Sequence, residues 1–135
     1  MKHLVWGILC LLLSARAFAA ETVYTVDCRG GGDFLTVQSC LDALPAKSAE
    51  WRTVRILPGT YREKVTLDVY KDRVRIVGVG GAEEVRIVWN DFSGRVVDGY
   101  EMSTYDTWTL SLQADDVILE GLTVENDAGR VGQAV

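Results

Sequence analysis

The chain has 135 residues with 14 basic and 19 acidic side chains, which gives a formal net charge of −5. An acidic chain of this length is poorly suited to binding nucleic acid and is long enough for one domain. The one histidine, His3, stands at the extreme N-terminus. The rest of the chain therefore cannot form a Ser-His-Asp, Cys-His or histidine-zinc site.

Residues 1–20 have the layout of a cleaved secretory signal peptide. Lys2 precedes the apolar run "LVWGILCLLL", and Ala17-Phe18-Ala19 forms a small-x-small cleavage site. Their removal takes away two basic residues and no acidic ones, which leaves a charge of −7 on residues 21–135. We therefore expect a secreted or periplasmic protein that has no membrane segment after cleavage.

The first elements of residues 21–135 are predicted to be a strand and a short helix. The segment "TVYTV" at 22–26 alternates in the manner of a strand. Apolar residues then recur at the spacing of one helical face: Val37, Cys40, Leu41 and Leu44. Thr36 or Asp33 can cap the start of this helix, and Pro45 prevents its continuation.

Two cysteines, Cys28 and Cys40, remain after cleavage of the signal peptide. In an exported protein they are a candidate disulfide, which for so short a loop would contribute about 3 kcal/mol. Two buried thiols are the alternative interpretation.

Three later blocks resemble one another and start at Val54, Val74 and Val117. Each is a short β-branched run, a glycine-bearing turn and a second short run, with Val54 and Val74 twenty residues apart. Such repetition predicts an all-β, right-handed parallel β-helix whose open first coil is covered by the N-terminal helix. The polar and aromatic segment before "TLSLQ" at 109–113 is predicted to project as a loop. A β-sandwich is the competing fold.

Three segments together resemble the pectinesterase (pectin methylesterase) family: "GDFLTVQSCLDALP", "RILPGTYREKV" and "LTVENDAGRVGQAV". They occur in the order and at the spacing that is usual in the family. The resemblance implies a right-handed parallel β-helix and the hydrolysis of methyl esters on the galacturonate units of pectin. It also implies a catalytic centre of two aspartates, an arginine and glutamines, with no metal and no cofactor.

Two residues match the family's functional positions. Gln133, in "GQAV", matches a glutamine that stabilises the oxyanion and contacts substrate, and we expect its side chain to point outward while Ala134 points inward. Thr104, in "STYDTWTL", matches a substrate-contacting threonine. Trp108 either stacks on a sugar or packs under the loop. Asp127 replaces a common threonine and is assigned no role.

In the family, the two catalytic aspartates and the arginine follow the glutamine strand. The resemblance therefore implies that residues 21–135 are the N-terminal part of a longer, truncated β-helix domain that is monomeric when complete. On that interpretation these residues have no catalytic activity by themselves. Two alternative functions stay open: a pectate lyase-like enzyme that uses calcium, and a non-catalytic carbohydrate-binding β-helix.

Overall fold

A computed structural model of the protein describes residues 20–130. In chain order its elements are β1 (Thr22–Val26), α1 (Val37–Ala43), β2 (Arg52–Ile56), β3 (Gly59–Arg62), β4 (Val65–Leu67), β5 (Val74–Gly78), β6 (Val85–Trp89), β7 (Val96–Val97), β8 (Tyr100–Glu101), a 3-10 turn (Thr104–Asp106), β9 (Leu110–Leu112), β10 (Val117–Glu120) and β11 (Thr123–Asn126). Within this range, no helix has the length and apolar character that crossing a membrane requires.

The strands form three parallel sheets that are the faces of a solenoid. The first sheet has the order β1-β2-β5-β10, the second β11-β6-β3, and the third β4-β9. From β2 to β6 and from β9 to β11, consecutive strands belong to different sheets, and each of these strands pairs with a strand one coil away in parallel orientation. The predicted parallel β-helix is therefore confirmed. The competing β-sandwich is wrong, because among the described residues only β7 and β8 pair in antiparallel fashion.

The register of the coils differs by two residues from the spacing of the similar sequence blocks. Val54 lies opposite Ile76, while Val74 lies opposite Arg52 on one side and Val117 on the other. Side chains alternate between the two faces of a strand, so a shift of two leaves every side chain on its predicted face. The repeat was therefore sufficient to predict which residues point inward, although not which ones are neighbours.

The inward side chains form one continuous apolar stack. Fully or almost fully buried members lie on β2, β4, β5 and β6: Val54, Ile56, Val65, Leu67, Val74, Ile76, Val85 and Ile87. Burying a Val or Ile side chain completely contributes about 1.5–3 kcal/mol, so this stack is the main source of stability in the body of the solenoid.

Helix α1 covers the first coil as predicted. Val37, Cys40 and Leu41 are buried on its inner face. Thr36 is the N-cap, and its hydroxyl accepts a hydrogen bond from the Ser39 amide at 3.2 Å. The helix packs against β4, and its buried side is the one that the apolar spacing predicts. It ends at Ala43, one residue before Leu44, the last residue of that spacing.

Two side chains fasten α1 to the first coil. The Glu63 carboxylate accepts hydrogen bonds from the Val37 and Gln38 amides at 3.0 and 2.7 Å, which satisfies two free donors of the helix start. The Gln38 amide group in turn donates to the Thr66 carbonyl at 3.0 Å and accepts from the Thr66 amide at 2.7 Å. Gln38 thus occupies the backbone groups that β4 would otherwise offer to another strand.

The candidate disulfide is not formed, because Cys28 and Cys40 are both free. Cys40 lies on the inner face of α1 and is fully buried in the core. The exposed Cys28 instead has its sulfur against β3, where a Cβ atom added to Gly59 would lie 2.6 Å from it. The two side chains therefore contact different neighbours. Burial raises the pKa of the Cys40 thiol to about 12.

Residues 90–109, the projecting loop, leave the solenoid between β6 and β9. Strands β7 and β8 form a hairpin whose two turn residues, Asp98 and Gly99, have φ angles of 49° and 79°. Asp-Gly is a preferred pair for such a turn because both positions need positive φ. The hairpin is followed by the 3-10 turn, in which Tyr105 is 90% exposed. The loop predicted from composition is therefore present.

Candidate functional site

The outer face of the third sheet is the first component of the candidate site. Thr66 of β4 and Ser111 of β9 are paired, and alternation directs both side chains away from the buried Val65 and Leu67. Trp108, just before β9, donates a hydrogen bond from its indole nitrogen to the Thr66 hydroxyl at 3.2 Å. Of the two interpretations of Trp108, the structure supports packing under the loop.

Thr104 is the second component and lies at the far end of the projecting loop. It begins the 3-10 turn, and its carbonyl accepts a hydrogen bond from the Thr107 hydroxyl at 2.8 Å. Its side chain is half-buried beside the exposed Tyr105. Thr104 is thus held on an ordered turn, and its contact with substrate stays a prediction.

Asp106 organises that turn through its carboxylate. One of its oxygens accepts hydrogen bonds from the Tyr100 hydroxyl at 2.7 Å, the Ser103 hydroxyl at 2.8 Å and the Ser103 amide at 3.1 Å. The bond from Tyr100, followed by those from Ser103, holds the pKa of Asp106 below its ordinary value. Asp106 is therefore ionised at neutral pH, and its negative charge joins the hairpin to the 3-10 turn.

Lys64 fastens both ends of the projecting loop to the solenoid. Its ammonium group contacts Asp91 Oδ2 at 2.8 Å near the start of the loop and also donates to the Asp106 carbonyl near its end. The same nitrogen lies 4.3 Å from the centre of the Trp108 ring, which is within the range of a cation–π contact. Lys64 immediately precedes β4, which is part of the stacked core. It therefore gives the loop a fixed point of attachment.

Asp91 is the buried partner of this attachment and is only 5% exposed. Its other carboxylate oxygen accepts a hydrogen bond from Arg95 Nη1 at 2.8 Å. Its carbonyl accepts one from Asn126 at 2.7 Å, which connects the loop to the third coil as well. A buried carboxylate needs such partners, and here two cations face one anion, which leaves a net positive charge.

These residues can bind and orient a ligand, but they are poorly placed to attack one. The Asp91 carboxylate is taken up by two cations and the Asp106 carboxylate by hydroxyl and amide donors. A carboxylate engaged in this way is a weak nucleophile. The arrangement therefore suits a binding role better than nucleophilic attack.

Gln133, the predicted oxyanion residue, lies outside the described residues, and so do Val131, Ala134 and Val135. The structure accordingly does not test the predicted direction of the Gln133 side chain. The structure describes the part of the candidate site that contains Thr104 and Trp108.

Sequence reasoning missed the cluster of Lys64, Asp91 and Arg95. The partners Lys64 and Asp91 are 27 residues apart, so no local pattern joins them. The one available signal was Lys64 itself, because strand alternation places it on the same outer face as Thr66.

Asp127, to which the sequence analysis assigns no functional role, takes part in a surface ion pair. Its carboxylate forms a two-point ion pair with the Arg62 guanidinium, with N–O distances of 2.7 and 3.0 Å. The hydrogen bond from Arg62 lowers the pKa of Asp127. The pair joins β3 to the segment after β11 across the outer surface, a contact between residues 65 positions apart.

Comparison with known proteins identifies the family. The pectinesterase family model matches residues 23–135. The curated Pectinesterase QRT1 of Arabidopsis thaliana is 35% identical over 117 residues, which cover 82% of this chain and 31% of that protein. The chain thus spans about a third of the length of this relative.

Solved structures agree with the fold. The pectin methylesterase from carrot superposes with a TM-score of 0.70 at 27% identity, over 78% of this chain and 31% of that one. Pectin methylesterase PemA from Erwinia chrysanthemi gives a TM-score of 0.67 at 22% identity, over 78% of this chain and 30% of the other. The second likeness concerns the fold alone.

Proposed function

Because the chain belongs to the pectinesterase family, we propose that the protein hydrolyses methyl esters of galacturonate units in pectin and releases methanol. The observation that carries this proposal is the family match over residues 23–135, on a chain that folds as a parallel β-helix. The likeness to the carrot pectin methylesterase supports it. A carboxylic ester hydrolase of this kind needs neither metal nor cofactor for the chemistry described next.

In the proposed reaction, one aspartate attacks the ester carbonyl and a second protonates the departing methanol and then activates water. Gln133 donates its amide N–H to the oxyanion, an interaction that is worth about 3 kcal/mol in a shielded groove. Thr104 contacts the substrate from the projecting loop. Within residues 20–130, Asp91 and Asp106 are both committed to holding that loop, which supports placing the two reacting aspartates elsewhere in the protein.

We further propose that the protein is exported, with residues 1–20 as its signal peptide, and that it acts on pectin as a monomer. Pectin is a polymer of acidic sugar units. The substrate therefore has to reach a solvent-open face of the solenoid, as the third sheet and the projecting loop provide.

The test is an assay of methanol release from methylated pectin by the full-length protein. We expect release by the wild type and a reduction of about 10²–10³-fold in kcat for Gln133→Ala, because an oxyanion donor is lost. Thr60→Ala, at an exposed position of β3 on the second sheet, is the control and should keep full activity. Formation of an unsaturated product in the presence of calcium, or no reaction at all, would contradict the proposal.

Residues 21–135 expressed alone should release no methanol and should fold poorly. No aspartate in this range matches a family nucleophile, and three apolar side chains of the last strands are about two-fifths exposed: Leu112, Leu119 and Val124. Such a surface promotes self-association. Size-exclusion chromatography, a thermal scan and the methanol assay provide the measurement. A monomer with a sharp transition would contradict the folding part, and methanol above a heat-killed control the catalytic part.

A further inference from the structure

A cavity of about 340 Å³ lies between the hairpin of the projecting loop and the body of the solenoid. The hairpin contributes one face to it. Arg95 pairs with Met102 and Val97 with Tyr100, and alternation directs these four side chains to the same side. Val96 lies on the opposite side of the hairpin and does not line the cavity. The volume of the cavity is at the lower end of the range for small-molecule sites.

The opposite wall comes from the solenoid and consists of Lys64, Trp89 and Asp91. With Arg95 these residues carry two positive charges and one negative charge, so the cavity is net positive on a protein that is net negative. The hydrogen bonds that Arg95 donates within residues 20–130 all come from Nη1. Its Nε and Nη2 donors therefore stay available to an anion, in the planar arrangement that fits a carboxylate.

The remaining lining is aromatic and apolar. Tyr100 is more than half exposed and, with Trp89, offers ring surface, while Val97 and Met102 add aliphatic surface. The Trp89 indole N–H is buried and has no acceptor in the described part of the chain. Aromatic surface beside a guanidinium suits a ring-shaped anion with C–H faces, which describes a sugar acid.

We propose that this cavity binds one free uronate unit of the polymer, with its carboxylate on Arg95 and its ring against Tyr100. The class of ligand rests on the proposed function, whereas the site itself rests on the cavity and its charges. A methyl ester lacks the negative charge and is held less tightly. The cavity therefore favours a unit that is already de-esterified, at a position separate from the ester that reacts.

The test measures binding of trigalacturonate to the full-length protein by isothermal titration calorimetry. Val97→Glu adds a carboxylate inside the cavity, and Val96→Glu adds the same charge on the other side of the hairpin. Both positions are exposed, with 41% and 64% of the residue accessible, so both variants should fold. We expect Kd to rise at least tenfold for Val97→Glu and to stay within twofold for Val96→Glu. Fully methylated trigalacturonate and maltotriose should bind more weakly than the free acid.

Equal affinities of the two variants, equal affinities for trigalacturonate and maltotriose, or no binding of trigalacturonate would each overturn the cavity proposal. Methanol release, measured on the same samples, separates the two proposals. If the wild type releases methanol and Val97→Glu binds normally, the cavity proposal fails alone. If Val97→Glu binds trigalacturonate more weakly than the wild type does, but the wild type releases no methanol, the proposed esterase function fails and the cavity proposal stands.

Discussion

The body of the solenoid and the projecting loop are stabilised by different interactions. The body is a stack of buried aliphatic side chains, with Val74 and Ile76 in the middle coil. The loop is attached through charges and hydrogen bonds, chiefly those of Lys64, Asp91 and Asp106. Apolar burial depends little on pH and salt, whereas ionic contacts depend on both. We therefore expect changes of pH or salt to loosen the loop before they affect the body.

The largest effect is expected from a change in the stack. Ile76→Ala removes a buried side chain between β2 and β10, and we expect unfolding free energy to fall by about 2–5 kcal/mol because a cavity remains. Arg75→Ala, one residue earlier and on the outer face, is the control and should stay within about 0.5 kcal/mol. Urea denaturation of the full-length protein gives both values. Equal losses would show that the stack is not the main source of stability.

A smaller and more local effect is expected from the loop attachment. Lys64→Met leaves the buried Asp91 with Arg95 as its one cation, at a cost of about 2–3 kcal/mol. Chymotrypsin should then cut faster at Tyr100 and Tyr105, since the loop loses contacts at both ends. Lys64→Arg should restore most of the resistance. Arg55→Met, an exposed cation of β2, serves as the control, and cleavage of that variant at the same increased rate would contradict the role of Lys64.

Tyr61 combines both kinds of interaction, because its ring is buried in the body of the solenoid and its hydroxyl forms hydrogen bonds there. Its hydroxyl donates to the Leu57 carbonyl at 2.8 Å and accepts from the Cys28 amide, so Tyr61→Phe should cost about 1–2 kcal/mol. Burial raises the pKa of Tyr61 to about 12. A raised pKa means that its contribution is complete below pH 10 and is lost as the pH approaches 12.

The measurement for Tyr61 is a series of urea titrations between pH 8 and pH 11.5. The wild type should lose stability with rising pH, and Tyr61→Phe should lose less. Tyr70→Phe, at a position that is 56% exposed, should behave like the wild type throughout. An alkaline profile that is the same for Tyr61→Phe and the wild type would disprove the assignment.

The smallest effect is expected at the end of the loop. The pKa of Asp106 is lowered by its bonds from Tyr100 and Ser103, so its contribution is present above the ordinary value of 3.8 and is lost as the pH falls below it. Acid should therefore loosen the turn before it affects the body. Asp106→Asn should loosen it already at neutral pH, and Asp115→Asn, an exposed carboxylate before β10, should not. Hydrogen exchange of the Ser103 amide between pH 2 and pH 7 reports the difference.

The contrast between body and loop also explains how much could be predicted from the sequence. The helix α1 and the inward faces of the strands follow from the spacing of apolar residues such as Val37 and Leu41, because that spacing is local. The register of the coils did not follow. A period of two fixes the face of a side chain but cannot distinguish Val74 from Ile76 as the partner of Val54.

The contacts that attach the candidate site to the solenoid are long-range, and the sequence could not supply them. Lys64 and Asp91 meet because β4 lies beside the start of the projecting loop, and Arg62 meets Asp127 because β3 and β11 belong to one sheet. Family resemblance gave Thr104 and Gln133 but not these pairs, since their partners depend on how the coils stack. The predicted disulfide failed for the same reason. Cys28 and Cys40 are close along the chain, but the fold leaves both of them free.

The hydrogen bonds between Gln38 and Thr66 make the strand edge at the helix end of the solenoid different from the edges at the other end. The side chain amide imitates a neighbouring strand on the helix side of β4, so no further rung can be added there. At β1, the Thr25 carbonyl and the Asp27 amide are likewise taken by residues 33 and 34. β9, β10 and β11 carry no such plug among the described residues. The outer edge of β4 and the end of β1 are therefore closed to pairing with a strand of another molecule.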